Sequence, residues 1–349
     1  MQINKILSQA TKMGASDVHI AVGNPATVRI DGDLIPLDEE LITPEDTETF
    51  AKYLIGPQKY HYFEENGHID ISYRIHEVGS FRINVFKYSG YTGLACRIIS
   101  DRIPTIKDLE LPDTIEKITN LTSGLVIFTG PTGCGKSTSI ASVVEGINKK
   151  KKTHIVTIED PIEYIHTNKM SMITQREVGK DCNSFSDALR AGLRQDPDII
   201  MVGEMRDLET IQIALTAAET GHLVLATLHT RNAHQTIERI IDVFPSTHQQ
   251  QIRVQLANSL MAVFAQKLLP RKDKGRIVAV ESLMITPAIR NLIRENKVHQ
   301  LYTFIQTGQR IGMQTMDDYL LGLYKRHVID KDVMLENAYD KDAILKELN

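Results

Sequence analysis

The chain has 349 residues, 42% of them hydrophobic, which is enough for two domains with cores of their own. A formal charge of −4, 6% aromatic residues and no tryptophan argue against a nucleic-acid binder, which needs a basic field and stacking platforms. Three dispersed cysteines (Cys96, Cys134 and Cys182) form no CxxC pair, so neither a disulfide framework nor a structural zinc site is expected, and a reducing, cytoplasmic setting fits.

Residues 1–14 read as a short helix with Ile3, Ile6, Leu7 and Ala10 on one face, not as a signal peptide. Residues 16–22 alternate like a half-buried strand. The runs 27–30 and 34–37 flank Asp31-Gly32-Asp33, a hairpin signal with glycine at the turn. A helical region over about 44–65 and strand-like runs at 69–75, 80–88 and 94–99 complete a small α+β domain, residues 1–98, with a curved antiparallel sheet. Ser100-Asp101-Arg102-Ile103-Pro104 and Leu111-Pro112-Asp113 punctuate an expected linker, 99–113.

Beyond it, in the expected domain 114–349, strands at 124–129, 154–159, 198–204 and 222–229 alternate with helices at 136–149, 184–195, 207–220 and 233–243. That order predicts a mainly parallel sheet with helices on both faces. The region from 246 onward reads as mostly helical. Lys149 to Lys152 is expected to cap a helix end in solvent. No apolar run approaches 18 residues, so membrane attachment is expected through a partner.

Chemistry concentrates in the stretch Gly130-Pro131-Thr132-Gly133-Cys134-Gly135-Lys136-Ser137-Thr138, which follows an apolar strand and opens a helix. This is the context of a loop that cradles polyphosphate on its backbone N–H groups. Lys136 is expected at the β- and γ-phosphates and the Ser137 hydroxyl on Mg²⁺, so the chain is expected to bind a nucleoside triphosphate. The Cys134 thiol is open to oxidation or alkylation if it is accessible.

The buried strand Ile199–Val202 ends in Gly203-Glu204, where Glu204 is placed to polarise a water for attack on the γ-phosphorus. P-loop NTPases usually carry a metal-orienting Asp where Gly203 stands, so another carboxylate must help. Glu159, Asp160 and Glu163, three acids within five residues at a strand's end, supply candidates. Glu159 and Asp160 are expected in the metal or its water shell, and Glu163 in positioning the attacking water. His222 and His229 bracket another strand. A strand of that length separates them by roughly 20 Å, so they cannot share one phosphate. His229 either senses the γ-phosphate or is a hydrogen-bonded structural histidine, and spacing favours the latter for both.

In order and spacing these boxes resemble the secretion ATPase superfamily, the hexameric motors of type II and type IV secretion and of type IV pili. The matching stretches are the P-loop, an Asp box at Thr157–Glu163, the strand ending in Gly203-Glu204 and a His box at Gly221–His229. Gln175–Gly179, Ala188–Arg190, Gly203–Thr210 and Ala217–His222 are similar to phrases of its pilus-retraction branch. So is Ala288-Ile289-Arg290-Asn291-Leu292-Ile293-Arg294-Glu295, a retraction-motor motif. Read without the family, that motif is an amphipathic surface helix with Ala288, Ile289, Leu292 and Ile293 on one face and Arg290 and Arg294 on another.

The resemblance implies an α/β chain: a PAS-like N-terminal domain, then a RecA-like P-loop NTPase domain with a helical C-terminal region. It further implies assembly as a homohexamer with ATP and Mg²⁺, and Arg82 and Arg97 reaching the phosphates when the domains close. The implied function is retraction of the pilus, docked through an inner-membrane platform protein of the pilus machinery, with the chain cytoplasmic and peripherally attached. Extension and type II secretion motors usually carry a longer N-terminal region and a tetracysteine site, and both are missing here. A nucleic-acid translocase and a non-hydrolysing nucleotide-gated scaffold are the readings from other classes; the acidic balance opposes the first and Glu204 the second.

Overall fold

The computed structural model describes residues 2–30, 32–99 and 102–348. It divides into two compact units, residues 1–102 with 163–165, and residues 103–162 with 166–349.

The first unit runs α1 (Ile3–Lys12), β1 (Asp17–Ile20), β2 (Pro25–Ile30), β3 (Asp33–Leu41), α2 (Pro44–Ile55), α3 (Pro57–Asn66), β4 (His68–Ile75), β5 (Gly79–Tyr88) and β6 (Tyr91–Ile99). α1 buries Ile3, Ile6, Leu7 and Ala10, the four positions its periodicity singles out. The strands form one antiparallel sheet in the order β3-β2-β1-β6-β5-β4. The expected helical stretch 44–65 is two helices. Gly56, at φ 72°, and Pro57 break it, and Thr43 opens the first with a reciprocal capping box to Asp46. The β2–β3 hairpin closes Ile30 onto Asp33; Gly32 takes φ 99°, while Asp31 of the expected turn lies outside the described residues.

The expected linker is only partly a tether. Ser100 and Asp101 lie outside the described residues, but Ile106 and Leu111 are buried in the core of the second unit. Their apolar side chains stabilise that unit by packing rather than by linking.

The second unit continues with α4 (Asp113–Ile118), β7 (Gly124–Thr129), α5 (Lys136–Asn148), β8 (His154–Glu159), β9 (Met172–Glu177), α6 (Phe185–Gly192), β10 (Ile199–Val202), α7 (Leu208–Glu219), β11 (Leu223–Leu228), α8 (Ala233–Asp242), α9 (Ser246–Ser259), β12 (Leu260–Pro270) and β13 (Arg276–Met284). It ends in α10 (Pro287–Arg294), α11 (Leu301–Thr307), α12 (Met316–Lys325), α13 (Lys331–Asn337) and α14 (Lys341–Leu348). Its sheet has the order β13-β12-β7-β11-β10-β8-β9 and is parallel except for β13. Two apolar clusters, one on each face of this sheet, bury the continuous runs of β7, β10 and β11 from both sides.

One expectation needs correction. Residues 260–284 are not helical: β12 and β13 form an antiparallel pair, and β12 lies parallel beside β7. The lysine run does close α5 in solvent, with Lys149 at its C-cap and Lys149, Lys150 and Lys152 exposed; Lys149 also pairs with Glu145 at 3.3 Å and Lys150 with Glu116 at 3.4 Å, and Lys151 donates to the Leu121 carbonyl at 2.7 Å.

Candidate functional site

The parallel order of the sheet brings the C-terminal ends of β7, β11, β10 and β8 side by side, the place where ligands sit in open α/β sheets. From the end of β7 the chain curls through Gly130 (φ 143°) and Gly133 (φ 79°), and Gly135 (φ 94°) caps α5 at its N-terminus. Lys136 is buried and folds its ammonium back on the loop, donating to the Gly130 carbonyl at 2.8 Å and the Pro131 carbonyl at 2.9 Å. A cation held at the mouth of a loop, above a helix N-terminus, is an anion-binding arrangement. Ser137 is half-buried one residue further on, in the first turn of α5. The Cys134 thiol is buried and burial pushes its pKa up, so the expected reactivity at this position is not available in the folded chain.

Glu204 follows β10 and is clamped. Arg206 Nε donates to its Oε2 at 2.6 Å, and His229 Nε2 lies 3.3 Å from its Oε1. Arg206 also reaches Asp160, at 3.7 Å, so one guanidinium bridges two of the candidate carboxylates. The glycine at 203 has a steric reason. A Cβ there would lie 3.1 Å from the Ile158 carbonyl oxygen and 3.3 Å from the Glu159 Cα, because Gly203 N–H hydrogen-bonds that carbonyl at 2.8 Å. The neighbouring strand thus places Glu159 where a residue-203 side chain would crowd.

Glu159 is buried, accepting from the Thr157 hydroxyl at 2.6 Å and from Gln175 Nε2 at 3.2 Å. Asp160 is exposed, and Glu163 is exposed within the segment 163–165 that groups with the first unit. Among the described residues no three His, Cys, Asp or Glu side chains gather to cage a metal ion. The Ser137 hydroxyl and the Glu159 and Asp160 carboxylates are hard oxygen donors, of the kind that fit Mg²⁺ where phosphate and water supply the remaining ligands.

Residues 107–327 match the type II/IV secretion system protein family. The chain belongs to that family. Among secretion-family proteins, the type IV pilus retractation ATPase PilT of Pseudomonas aeruginosa is 43% identical over 344 residues, covering 99% of each chain. The type IV pilus ATPase PilU of the same organism is 40% identical over 97% of this chain and 89% of its own. A crystal structure of the pilus retraction motor PilT with bound ADP superposes with a TM-score of 0.93 at 47% identity, covering 99% of each chain.

His222 is structural: its Nδ1 lies 3.0 Å from the Ala217 carbonyl and its N–H donates to the same carbonyl at 3.1 Å, closing the end of α7. His229, in contrast, faces Glu204. In the first unit Arg82 and Arg97 are directly opposite each other on β5 and β6, and Arg97 Nε donates to Asp17 at 3.1 Å. Helix α10 buries Ile289 and Ile293 fully, but Ala288 is exposed, so the expected apolar face is narrower than its periodicity suggests. Arg290 does not point outward: Nη1 donates to the Ala257 and Asn258 carbonyls at the end of α9. Arg294 Nη2 donates to Asn291 at 2.6 Å.

Three supporting residues escaped the sequence reading. Arg206 was visible only as part of a family phrase. Gln266 of β12 sits behind the phosphate loop, its Nε2 donating to Ser139 Oγ at 2.8 Å and its carbonyl pressed against Gly130. Thr129, the last residue of β7, accepts from the Thr230 N–H at 2.9 Å and lies 2.8 Å from the Thr230 carbonyl oxygen, tying the phosphate loop to the His229 loop. A threonine at a strand end or a glutamine in an apolar run carries no local signal that would have marked it.

Proposed function

We propose that this chain is the ATP-hydrolysing motor that retracts a type IV pilus. The observation that carries this is its similarity, along 99% of both chains, to a retraction ATPase. The site supplies the chemistry. Lys136 and the N–H groups of 132–138 bind and orient the polyphosphate, and the α5 N-terminus adds favourable field. Ser137, with Glu159 and Asp160 toward the water shell, would hold Mg²⁺, and the ion would supply charge neutralisation for the phosphates. Glu204 takes the proton of the attacking water once Arg206 releases it, and His229 holds the carboxylate from the other side. Glu163 helps to position that water.

In this reading the first unit is a PAS-like domain and the second a RecA-like one, and six copies form a ring. Arg82 and Arg97 reach the phosphates on domain closure, their rigid guanidinium forks coupling closure to transition-state charge. The ring works on the cytoplasmic face of the inner membrane, docked on a platform protein of the pilus machine. No helix of the described residues is long and apolar enough to cross a membrane.

The test is a count of surface pili and a measure of surface motility in cells lacking the gene. Many pili with no motility support a retraction motor. Bald cells would assign an extension or secretion motor instead. The 40% identity to PilU favours one second reading, an accessory retraction motor, which retraction persisting at reduced force would indicate.

A further inference from the structure

The loop that joins β11 to α8, His229 to Asn232, is fastened at more points than a four-residue connector requires. At its far end the Ala233 N–H donates to Glu281 Oε1 at 2.8 Å; Glu281 belongs to β13 and is 1% exposed. In its middle the Arg231 carbonyl accepts from the Tyr339 hydroxyl at 2.8 Å. Tyr339 lies in the crossing between α13 and α14, so this bond spans 108 residues of chain.

That crossing is itself held rigidly. Asp317 of α12 accepts from the Tyr339 N–H at 2.7 Å with Oδ1 and from the Asp340 N–H at 2.9 Å with Oδ2. Lys267 of β12 sits over the Tyr339 ring, 4.7 Å from its centre, and donates to the Asn337 carbonyl at 2.6 Å. Burial pushes the Glu281 carboxyl up to about 7, against the pull of the Ala233 and Met316 N–H groups, which marks a carboxyl kept in an apolar setting for its hydrogen bonds.

The Arg231 carbonyl is two residues past His229, whose ring is 3.3 Å from Glu204. A shift of one peptide plane at Arg231 therefore reaches the ring through a short stretch of backbone. We propose that Tyr339 is a positioning residue for His229: its hydroxyl fixes the Arg231 carbonyl and so sets the ring against Glu204. The C-terminal helices thereby hold part of the hydrolytic site without taking part in the reaction. The inference rests on reading the His229–Glu204 pair as part of the ATP site.

The experiment measures kcat and KM for ATP, with melting temperature, on the full chain as wild type, Tyr339→Phe, His229→Ala and the double variant. Tyr339→Phe keeps the ring, the Lys267 contact and both Asp317 bonds, so the melting temperature should hardly change. It should lower kcat about three- to tenfold with KM within about twofold, a split that loss of packing would not give. In the His229→Ala background it should cost nothing further, because the residue it positions is gone. An unchanged kcat in Tyr339→Phe, or the same factor lost in both backgrounds, would overturn the proposal and leave the reading of His229 standing. A His229→Ala enzyme with wild-type kcat would remove that reading, and the proposal with it.

Discussion

Replacing Gly130 by alanine puts a methyl group where two atoms already stand. A Cβ at this position would lie 2.4 Å from the Gln266 carbonyl oxygen and 2.6 Å from the Cys134 sulfur, and the backbone has φ 143°. Neither neighbour yields cheaply: the carbonyl belongs to β12, which is laddered to β13 at Val280, and the thiol is buried. Overpacking of this kind costs about 1–3 kcal/mol and the backbone conformation a further ~1–3. Gly133→Ala is the control, because φ is 79° there and nothing lies within 4 Å of the added Cβ. Its cost is the left-handed backbone alone, about 1–2 kcal/mol. Thermal unfolding without nucleotide compares the two, at about 2–4 °C per kcal/mol for a unit of this size. Gly130→Ala should melt several degrees below Gly133→Ala and bind a fluorescent ATP analogue more weakly than wild type. Equal melting temperatures would refute the claim that β12 forms the wall of the loop.

Glu204→Gln should lower turnover about 10²-fold or more while ATP still binds, as phosphate-release and nucleotide-binding assays would show; unchanged turnover would strip Glu204 of its role as base. Of the three thiols, Cys182, the only one not buried, should react fastest with a disulfide reagent, while Cys96, pushed up to about 12 by burial, and Cys134 wait for unfolding. Peptide mapping of a brief labelling reaction would show fast modification of Cys134 if its burial is wrong. Burial raises the Glu48 carboxyl, but hydrogen bonds from Thr92, Tyr60 and Lys87 more than reverse this and hold it at about 2. A depressed folded pKa means that its contribution is present above about 4.5, the ordinary value, and is lost as pH falls from there toward about 2. Acid unfolding of Glu48→Gln should therefore be flatter than wild type across that window, by about 1 kcal/mol once solvent screening is allowed for.

The phosphate loop was legible because its geometry is written locally: three glycines supply the backbone, and the apolar strand before them and the helix after them lie within a few residues. Glu204 was legible for the same reason, as the acid at the end of a four-residue buried strand. Its partners were not. Arg206 stands two residues along the same loop, with nothing local to say that its side chain folds back. His229 meets Glu204, and Asp160 meets Arg206, only because β10 lies between β11 and β8, and the order of strands in a sheet is not a property of any one segment. The β12–β13 pair was missed for a different reason. An apolar run directly follows the helix α9, and periodicity alone does not separate a buried strand from more buried helix. The turn Lys272-Asp273-Lys274-Gly275, with Gly275 at φ 83°, was the available sign. Arg290 shows the limit of face-counting on a helix: spacing placed it outward, but a long side chain bends to carbonyls that only the tertiary fold brings near.

The wall behind Gly130 arrives late in the chain. A ribosome that has released residues 1–255 presents every residue of the phosphate loop, yet the strand that confines it, Leu260–Pro270, is still unmade. Domains fold as units during synthesis. Nascent chains of this protein therefore pass through a long interval in which the loop sequence is complete and its shape is not. A chain truncated before residue 260 would carry every residue of the loop without the wall behind Gly130 that gives the loop its shape.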